Sequence, residues 1–214
     1  MLEVKALEVD IGGAKVLRRV DLTVPTGSLS GLIGRNGAGK TTLLRCVMGL
    51  LPAKGGTASF DGAHLDALPA HRRASLGIGY MPEDRRLVPD FTVEDNVLVP
   101  AWAVPLAEAD ARLEWVYGLM PEVRELRARR ANQLSGGQQK LVALARALVA
   151  GSKLLLLDEP FEGVAPALAQ RLAEVLSDLK KTGISVLVAE SNEKHIAHLL
   201  SATHIIERGA IHPA

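Results

Sequence analysis

Three observations predict an α/β fold with a mostly parallel sheet for this 214-residue chain. Residues 28–33, 153–157 and 184–189 are short and almost wholly apolar, as strands buried on both faces must be. Amphipathic stretches of helical length alternate with them, so helices can cover both faces of such a sheet. Between the first of these strands and the helix after it lies Gly34-Arg35-Asn36-Gly37-Ala38-Gly39-Lys40-Thr41-Thr42. That is a glycine, four residues and Gly-Lys-Thr, the spacing of a phosphate-binding loop in its strand–loop–helix context.

The elements follow in order. Residues 2–24 read as two or three strands, 2–9 and 16–24, around a Gly12-Gly13 turn, with alternation at Val20, Leu22 and Val24. They form an antiparallel β part at the N-terminus. A helix over 41–50 ends before the breaker cluster of residues 52–56. A short strand at 57–60 stops at the turn signal Asp61-Gly62, a short helix spans 69–75, and a strand covers 76–81 up to Pro82. From 92 to 130 the character changes. Pro100, Pro105 and Pro121 punctuate the stretch, and Leu113, Val116, Tyr117 and Met120 recur at helical spacing, which predicts a helical insert within one domain spanning 1–214. Arg124, Arg127, Arg129 and Arg130 at its end read as a solvated face. A helix with Leu141, Leu144, Ala145, Leu148 and Val149 on one face precedes the strand at 153–157. The next helix has Pro166 in its first turn and Gly183 as its stop. A strand at 184–189, a helix at 192–200 and a last strand at 203–207 complete the chain.

The chemistry gathers at the carboxyl ends of the parallel strands, where ligands of such sheets lie. The glycines of the loop, Gly34, Gly37 and Gly39, let successive backbone N–H groups face an anion, with Asn36 and Thr42 beside them. The helix N-terminus adds its partial positive charge. Lys40 is placed to reach the β- and γ-phosphates, and the Thr41 hydroxyl to hold Mg²⁺. Asp158 and Glu159 end a strand of four leucines: Asp158 can share the metal with Thr41, and Glu159 can polarise the attacking water. Residues 190–192 should converge on the same place. A second anion-receptive helix start lies at Leu134-Ser135-Gly136-Gly137-Gln138.

Composition excludes several classes. With 25 basic and 24 acidic residues the chain is nearly neutral, which argues against nucleic-acid binding through a broad basic face. No apolar run approaches the roughly 20 residues of a membrane span, and the acidic first ten residues lack a signal core. The single cysteine, Cys46, allows no intrachain disulfide and sits past the first turn of its helix, where a buried, inert thiol is expected.

These motifs together resemble the nucleotide-binding subunit of ABC transporters, over essentially the whole chain. The phosphate loop matches Walker A, residues 134–138 match the LSGGQ signature, and residues 154–159 match Walker B with its glutamate. The resemblance implies a P-loop ATPase of ABC type that uses ATP and Mg²⁺ and sits in the cytoplasm on the inner face of the cell membrane. It implies permease subunits docked on the 92–130 insert and an indirectly served solute-binding protein. It further implies a second ATPase subunit, identical or different, whose γ-phosphate Ser135 and Gly137 would serve. Four stretches narrow the likeness to the second ATPase subunit of importers of branched-chain amino acids and related amides. They are Tyr80-Met81-Pro82-Glu83-Asp84-Arg85-Arg86, Phe91-Thr92-Val93-Glu94-Asp95-Asn96, residues 159–166 and Ala189-Glu190-Ser191-Asn192. Three positions depart from the general ABC pattern. Ile11 stands for the aromatic that stacks on adenine, Glu83 for a metal- and water-contacting glutamine, and Ser191 for a histidine that contacts the γ-phosphate; His195 and His198 follow nearby. Two other readings share the motifs. A soluble ABC ATPase acting on DNA or the ribosome would carry coiled-coil inserts or a second cassette, and this sequence has neither. A weakly hydrolysing nucleotide-binding subunit would fit Ile11 and Ser191 but not the retained Glu159.

Overall fold

The computed structural model describes residues 1–106 and 108–212, so the last two positions of the expected domain lie outside the described residues. Two sheets carry the fold. The first is antiparallel, in the order β2 (Ala14–Val24), β1 (Leu2–Ile11), β4 (Gly55–Phe60), β5 (Ala63–His64). Its β1–β2 hairpin turns at Gly12 and Gly13, whose φ values of 57° and 81° belong to the left-handed region that a two-residue hairpin turn demands.

The second sheet runs β10 (Ala210–His212), β9 (Ala202–Glu207), β3 (Leu29–Ile33), β8 (Ser185–Glu190), β7 (Leu154–Asp158), β6 (Ile78–Met81). Its strands are parallel except β10 at the edge. Every residue of β3, β7 and β8 is buried, which is why these strands read as continuous apolar runs. Their side chains divide between two cores. Leu155, Leu157, Val186 and Val188 face one, and Leu154, Leu156 and Leu187 face the other, against β1, β2 and the loop's helix.

The helices cover this sheet as the alternation requires. Helix α1 (Lys40–Val47) follows the phosphate loop and α2 (Ala70–Ser75) precedes β6. The helices α3 (Val93–Ala103), α4 (Ala109–Leu119) and α5 (Pro121–Glu125) fill the stretch in which helices were expected. Helix α6 (Gly136–Ala150) precedes β7, and α7 (Pro166–Lys180), with Pro166 at its start, joins β7 to β8. Arg73 of α2 is buried and donates to the carbonyls of Cys46 and Val47, satisfying the C-terminal end of α1 where a cation is favoured. Among the described residues no helix is long and apolar enough to cross a membrane.

Three expectations need correction. Residues 192–200 form turns, not a helix. The Asn192 side chain accepts from the Lys194 amide, and the later amides converge on the Glu193 and Ile196 carbonyls in pairs, so no consecutive series of helical bonds propagates. The strand expected to be last is followed by β10, which folds back on β9 across Arg208 and Gly209. Pro100 lies inside α3, in its second half.

Helix α6 approaches β6 so closely that a Cβ on Gly79 would stand 2.0 Å from the Ala147 carbonyl oxygen and 2.8 Å from the Gly151 nitrogen. Both are backbone atoms and cannot swing aside. Gly79→Ala should therefore lower stability by about 1–3 kcal/mol. Gly118→Ala, in α4 with nothing within 4 Å of the new methyl, should be neutral or raise stability by about 0.5–1 kcal/mol. Urea unfolding midpoints of the two variants check the contrast.

Candidate functional site

The loop between β3 and α1 is tied down at its first residue. The Gly34 amide donates to the Glu190 carbonyl at 3.1 Å, and a Cβ there would stand 2.2 Å from the Ile206 oxygen, so only glycine fits. Gly37 and Gly39 hold φ of 80° and 112°, which curl the loop over the start of α1. Lys40, the first residue of α1, is 5% exposed. Its ammonium donates to the Gly34 and Arg35 carbonyls and pairs with Glu159 Oε1 at 2.9 Å. Those loop carbonyls curl the lysine back over the place where the loop amides gather.

The strands bring three carboxylates to this place. Asp158, the last residue of β7, accepts from Thr41 Oγ1 at 3.0 Å and from the Tyr80 hydroxyl at 3.2 Å. Burial raises its pKa, opposed by those two hydrogen bonds. Glu159 follows with φ of 49°, an uncommon conformation for a residue with a Cβ. Burial opposes its charge, but hydrogen bonds from Lys40, Glu190 and Ser191 outweigh it, and its pKa falls below the usual carboxylate value. Glu190, the last residue of β8, is 4% exposed and accepts from the Phe161 amide at 2.8 Å. Burial pushes its pKa up to about 8.

Ser191 joins the loop to this cluster. Its hydroxyl lies 2.6 Å from Asn36 Oδ1 and 2.9 Å from Glu159 Oε1, while its amide donates to Glu159 Oε2. A cleft of about 460 Å³ opens above. It is lined by Ile11 and Val16 at one end, Asn36, Lys40, Thr41 and Thr42 along the floor, and Glu83, Glu159 and Glu162 at the other. Its apolar end can cover the face of a base, and its floor of amides and one ammonium can hold phosphates. The Thr41 hydroxyl and the Asp158 and Glu83 carboxyls offer hard oxygen donors, few enough that phosphate oxygens and waters would complete an octahedron. That donor set fits Mg²⁺.

Ser135 and Gly137 do not enter this cleft. The Ser135 hydroxyl caps α6 by accepting from the Gln138 amide, and Gly137 lines a separate cleft of about 370 Å³ with Lys140, Arg85 and Glu162. The two anion-receptive helix starts thus stand apart within one chain. The His195 ring stacks on Phe161 with centroids 5.5 Å apart, and His198 is exposed. Three contributors were not anticipated, Tyr80, Lys140 and Glu162, while Glu190, expected here with residues 190–192, had been given no role. Glu190 ends an apolar strand just as Asp158 does, a signal open to reading. The buried Lys140 ammonium takes the carbonyls of Glu159, Pro160 and Glu162, and only the turn beneath it gives that lysine a meaning.

The profile of a family described as ABC transporter matches residues 17–162. Over 211 residues the chain is 33% identical to the high-affinity branched-chain amino acid transport ATP-binding protein BraG of Pseudomonas aeruginosa, covering 99% of this chain and 91% of that one. It is 34% identical over 210 residues to the lipopolysaccharide export system ATP-binding protein LptB of Escherichia coli K12, covering 97% and 87%. The ADP conformation of the ATP-binding cassette MJ1267 superposes with a TM-score of 0.85 at 26% identity, over 99% of this chain and 89% of that one.

Lys40 supplies the only side-chain cation on the lining of the larger cleft among the described residues. Charge-assisted hydrogen bonds contribute about 1.5–3 kcal/mol, so Lys40→Ala should weaken ATP binding by about 10- to 100-fold. Titration calorimetry of wild type and variant reads the difference, and an unchanged affinity would remove the phosphate role of Lys40.

Proposed function

The chain belongs to the ABC transporter ATP-binding family and is an ATPase subunit, and from that premise we propose that it powers a membrane importer of branched-chain amino acids or related amides. Identity alone does not choose the solute, since BraG and LptB stand at 33% and 34%. The support is the run from Tyr80 to Arg86, with Glu83 in place of glutamine, together with residues 91–96, 159–166 and 189–192, which resemble the amino-acid importer branch.

One observation carries the hydrolytic mechanism: Lys40 and Thr41 reach from α1 to Glu159 and Asp158 at the end of β7. Loop amides and Lys40 bind the β- and γ-phosphates, so Lys40 exchanges its Glu159 partner for phosphate oxygens. Thr41 and Asp158, with Glu83 at the rim, would hold Mg²⁺. Held there, it would supply positive charge against the phosphate oxygens. Glu159, released from Lys40, accepts a hydrogen bond from water and aims its oxygen at the γ-phosphorus. The new P–O bond forms as the bond to the β-phosphate oxygen breaks, giving ADP and inorganic phosphate. Ser191, the stand-in for histidine, keeps a donor between Asn36 and the carboxylate.

The exposed N-terminus of α6 is the part of the machinery that one chain leaves unused. Ser135 and Gly137 would face the γ-phosphate held by a second ATPase subunit, identical or not. Helices α3–α5 would meet the permeases at the cytoplasmic face of the membrane, and a solute-binding protein would act through them. The near balance of charge argues against nucleic acid as a partner.

Glu159→Gln should cut steady-state phosphate release by about 10²–10⁴-fold, the range of general-base losses, while ATP affinity holds. With ATP it should elute as a dimer when two copies of this chain can pair. Undiminished turnover would overturn the role of Glu159. For the solute, affinity purification from membranes followed by mass spectrometry should recover permease subunits whose reconstituted ATPase responds to branched-chain amino acids. Recovery of a lipopolysaccharide export assembly instead would overturn the importer reading.

A further inference from the structure

Glu159 keeps a left-handed φ of 49°, and the direction in which it sends its side chain follows from the two peptide planes beside it. The plane before it is fixed by its own amide, which donates to the Ala189 carbonyl at 2.9 Å. The plane after it is fixed from another element. Lys140 of α6 is buried, and its ammonium donates to the Glu159 carbonyl at 2.9 Å, the Pro160 carbonyl at 3.3 Å and the Glu162 carbonyl. Three N–H donors meet three acceptors, so the ammonium is wholly engaged by this turn. Lys140 does not line the cleft that holds Lys40 and Thr41, which leaves it no part in binding phosphate there. The Glu159 carboxylate is also held by Lys40, which turns away when phosphate arrives. Lys140 grips carbonyls instead, so its hold does not change in that exchange.

We propose that Lys140 is a positioning residue for hydrolysis: by holding the carbonyls of Glu159, Pro160 and Glu162 from α6, it aims the Glu159 carboxylate at the attacking water. Without its N–H groups three carbonyls lose a donor at once. Backbone polar groups away from water do not stay unpaired, so the turn must rearrange to find other partners. That rearrangement rotates the plane after Glu159 and carries the Cα–Cβ direction of Glu159 with it. The phosphate loop and Thr41 lie on other elements and keep their places, so nucleotide still binds while the water is poorly aimed. This inference rests on the reading of Glu159 as the water-orienting group.

The test uses the full chain as wild type, Lys140→Met, Glu159→Gln, the two combined, and Arg112→Met, each with its thermal unfolding midpoint. Methionine keeps an unbranched stem and removes the donors. Lys140→Met should lose about 10- to 100-fold in kcat, the cost of misplacing a reacting group by about 1 Å, with KM and ATP affinity little changed. Because Lys140 acts through Glu159, adding Lys140→Met to Glu159→Gln should lower kcat by less than about threefold more. Arg112 of α4 is the control. It donates to the Leu148 and Gly151 carbonyls at 2.9 and 3.0 Å, at the far end of α6, so Arg112→Met should lower the unfolding midpoint and leave kcat unchanged. Hydrogen exchange at the Glu159, Phe161 and Glu162 amides needs no turnover, and it should be faster in Lys140→Met but not in Arg112→Met. Wild-type kcat or wild-type exchange in a folded Lys140→Met protein would overturn the proposal. So would the full loss of kcat reappearing in the Glu159→Gln background, the mark of a lysine that only stabilises the fold. If Lys140→Met fails to fold, Lys140→Gln, with two N–H groups for three carbonyls, is measured in both backgrounds against the same outcomes. Undiminished turnover in Glu159→Gln would overturn the role of Glu159 itself, while exchange still reads the hold of Lys140 on the turn, which separates the two failures.

Discussion

Asp158, Glu159 and Glu190 are almost excluded from water, and burying a carboxylate costs several kcal/mol unless charge and hydrogen bonds replace its hydration. The rest of the site is arranged around that requirement. Parallel strands end here side by side, so β7 and β8 deliver their terminal carboxylates to one place and cannot themselves neutralise them. The donors come from other elements: Tyr80 from β6, Lys40 and Thr41 from α1, Ser191 from beyond β8, and the Phe161 amide from the turn after β7. Strand order is therefore a constraint on chemistry. Only with β6 and β8 flanking β7, and β3 beside β8, do those donors reach.

The same requirement explains why a lysine deep in α6 matters to a loop after β7. Lys140 holds the carbonyls of Glu159, Pro160 and Glu162, so the turn that aims Glu159 is anchored to the helix whose N-terminus carries Ser135 and Gly137. Burial lowers the Lys140 pKa, opposed by the nearby glutamates that favour its charge. A left-handed φ at Glu159 costs of order 1–3 kcal/mol and persists only where its surroundings over-determine it. Here the Ala189 carbonyl, Lys140 and the Phe161–Glu190 bond do so together.

Sequence reading reached the parts of this arrangement that follow from local rules. Gly-Lys-Thr after an apolar strand, and Asp158-Glu159 after four leucines, can be read because the fold places strand ends without any long-range accident. The helix expected at 192–200 was misread for a local reason of the opposite kind: apolar spacing was right, but the Asn192 side chain competes for the amide that would begin it. Tyr80 and Lys140 stayed hidden, and Glu190 was placed at the site without a role. Their roles depend on pairs separated by 78, 19 and 29 positions, which periodicity does not encode. Glu83 was placed at the rim, where burial and the neighbouring Glu162 and Asp158 raise its pKa.

The equal likeness to an amino-acid transport protein and a lipopolysaccharide export protein has a structural cause. The groups that answer to buried charge, the loop from Gly34 to Thr42 with the Asp158, Glu159 and Glu190 carboxyls, face the same physical demand whatever the ATPase drives, so that demand by itself does not discriminate between cargoes. Partner choice, on the reading proposed above, must then reside where no such demand applies. The exposed face of α3 is such a place. Phe91 packs its edge against Trp102 with centroids 6.1 Å apart, and Trp102 stays 58% exposed, beside a half-exposed Val88. Val88, Phe91 and Trp102 are not among the residues lining the cleft that holds Lys40, Thr41 and Glu159, so a partner can be selected there without disturbing the carboxylates and their donors.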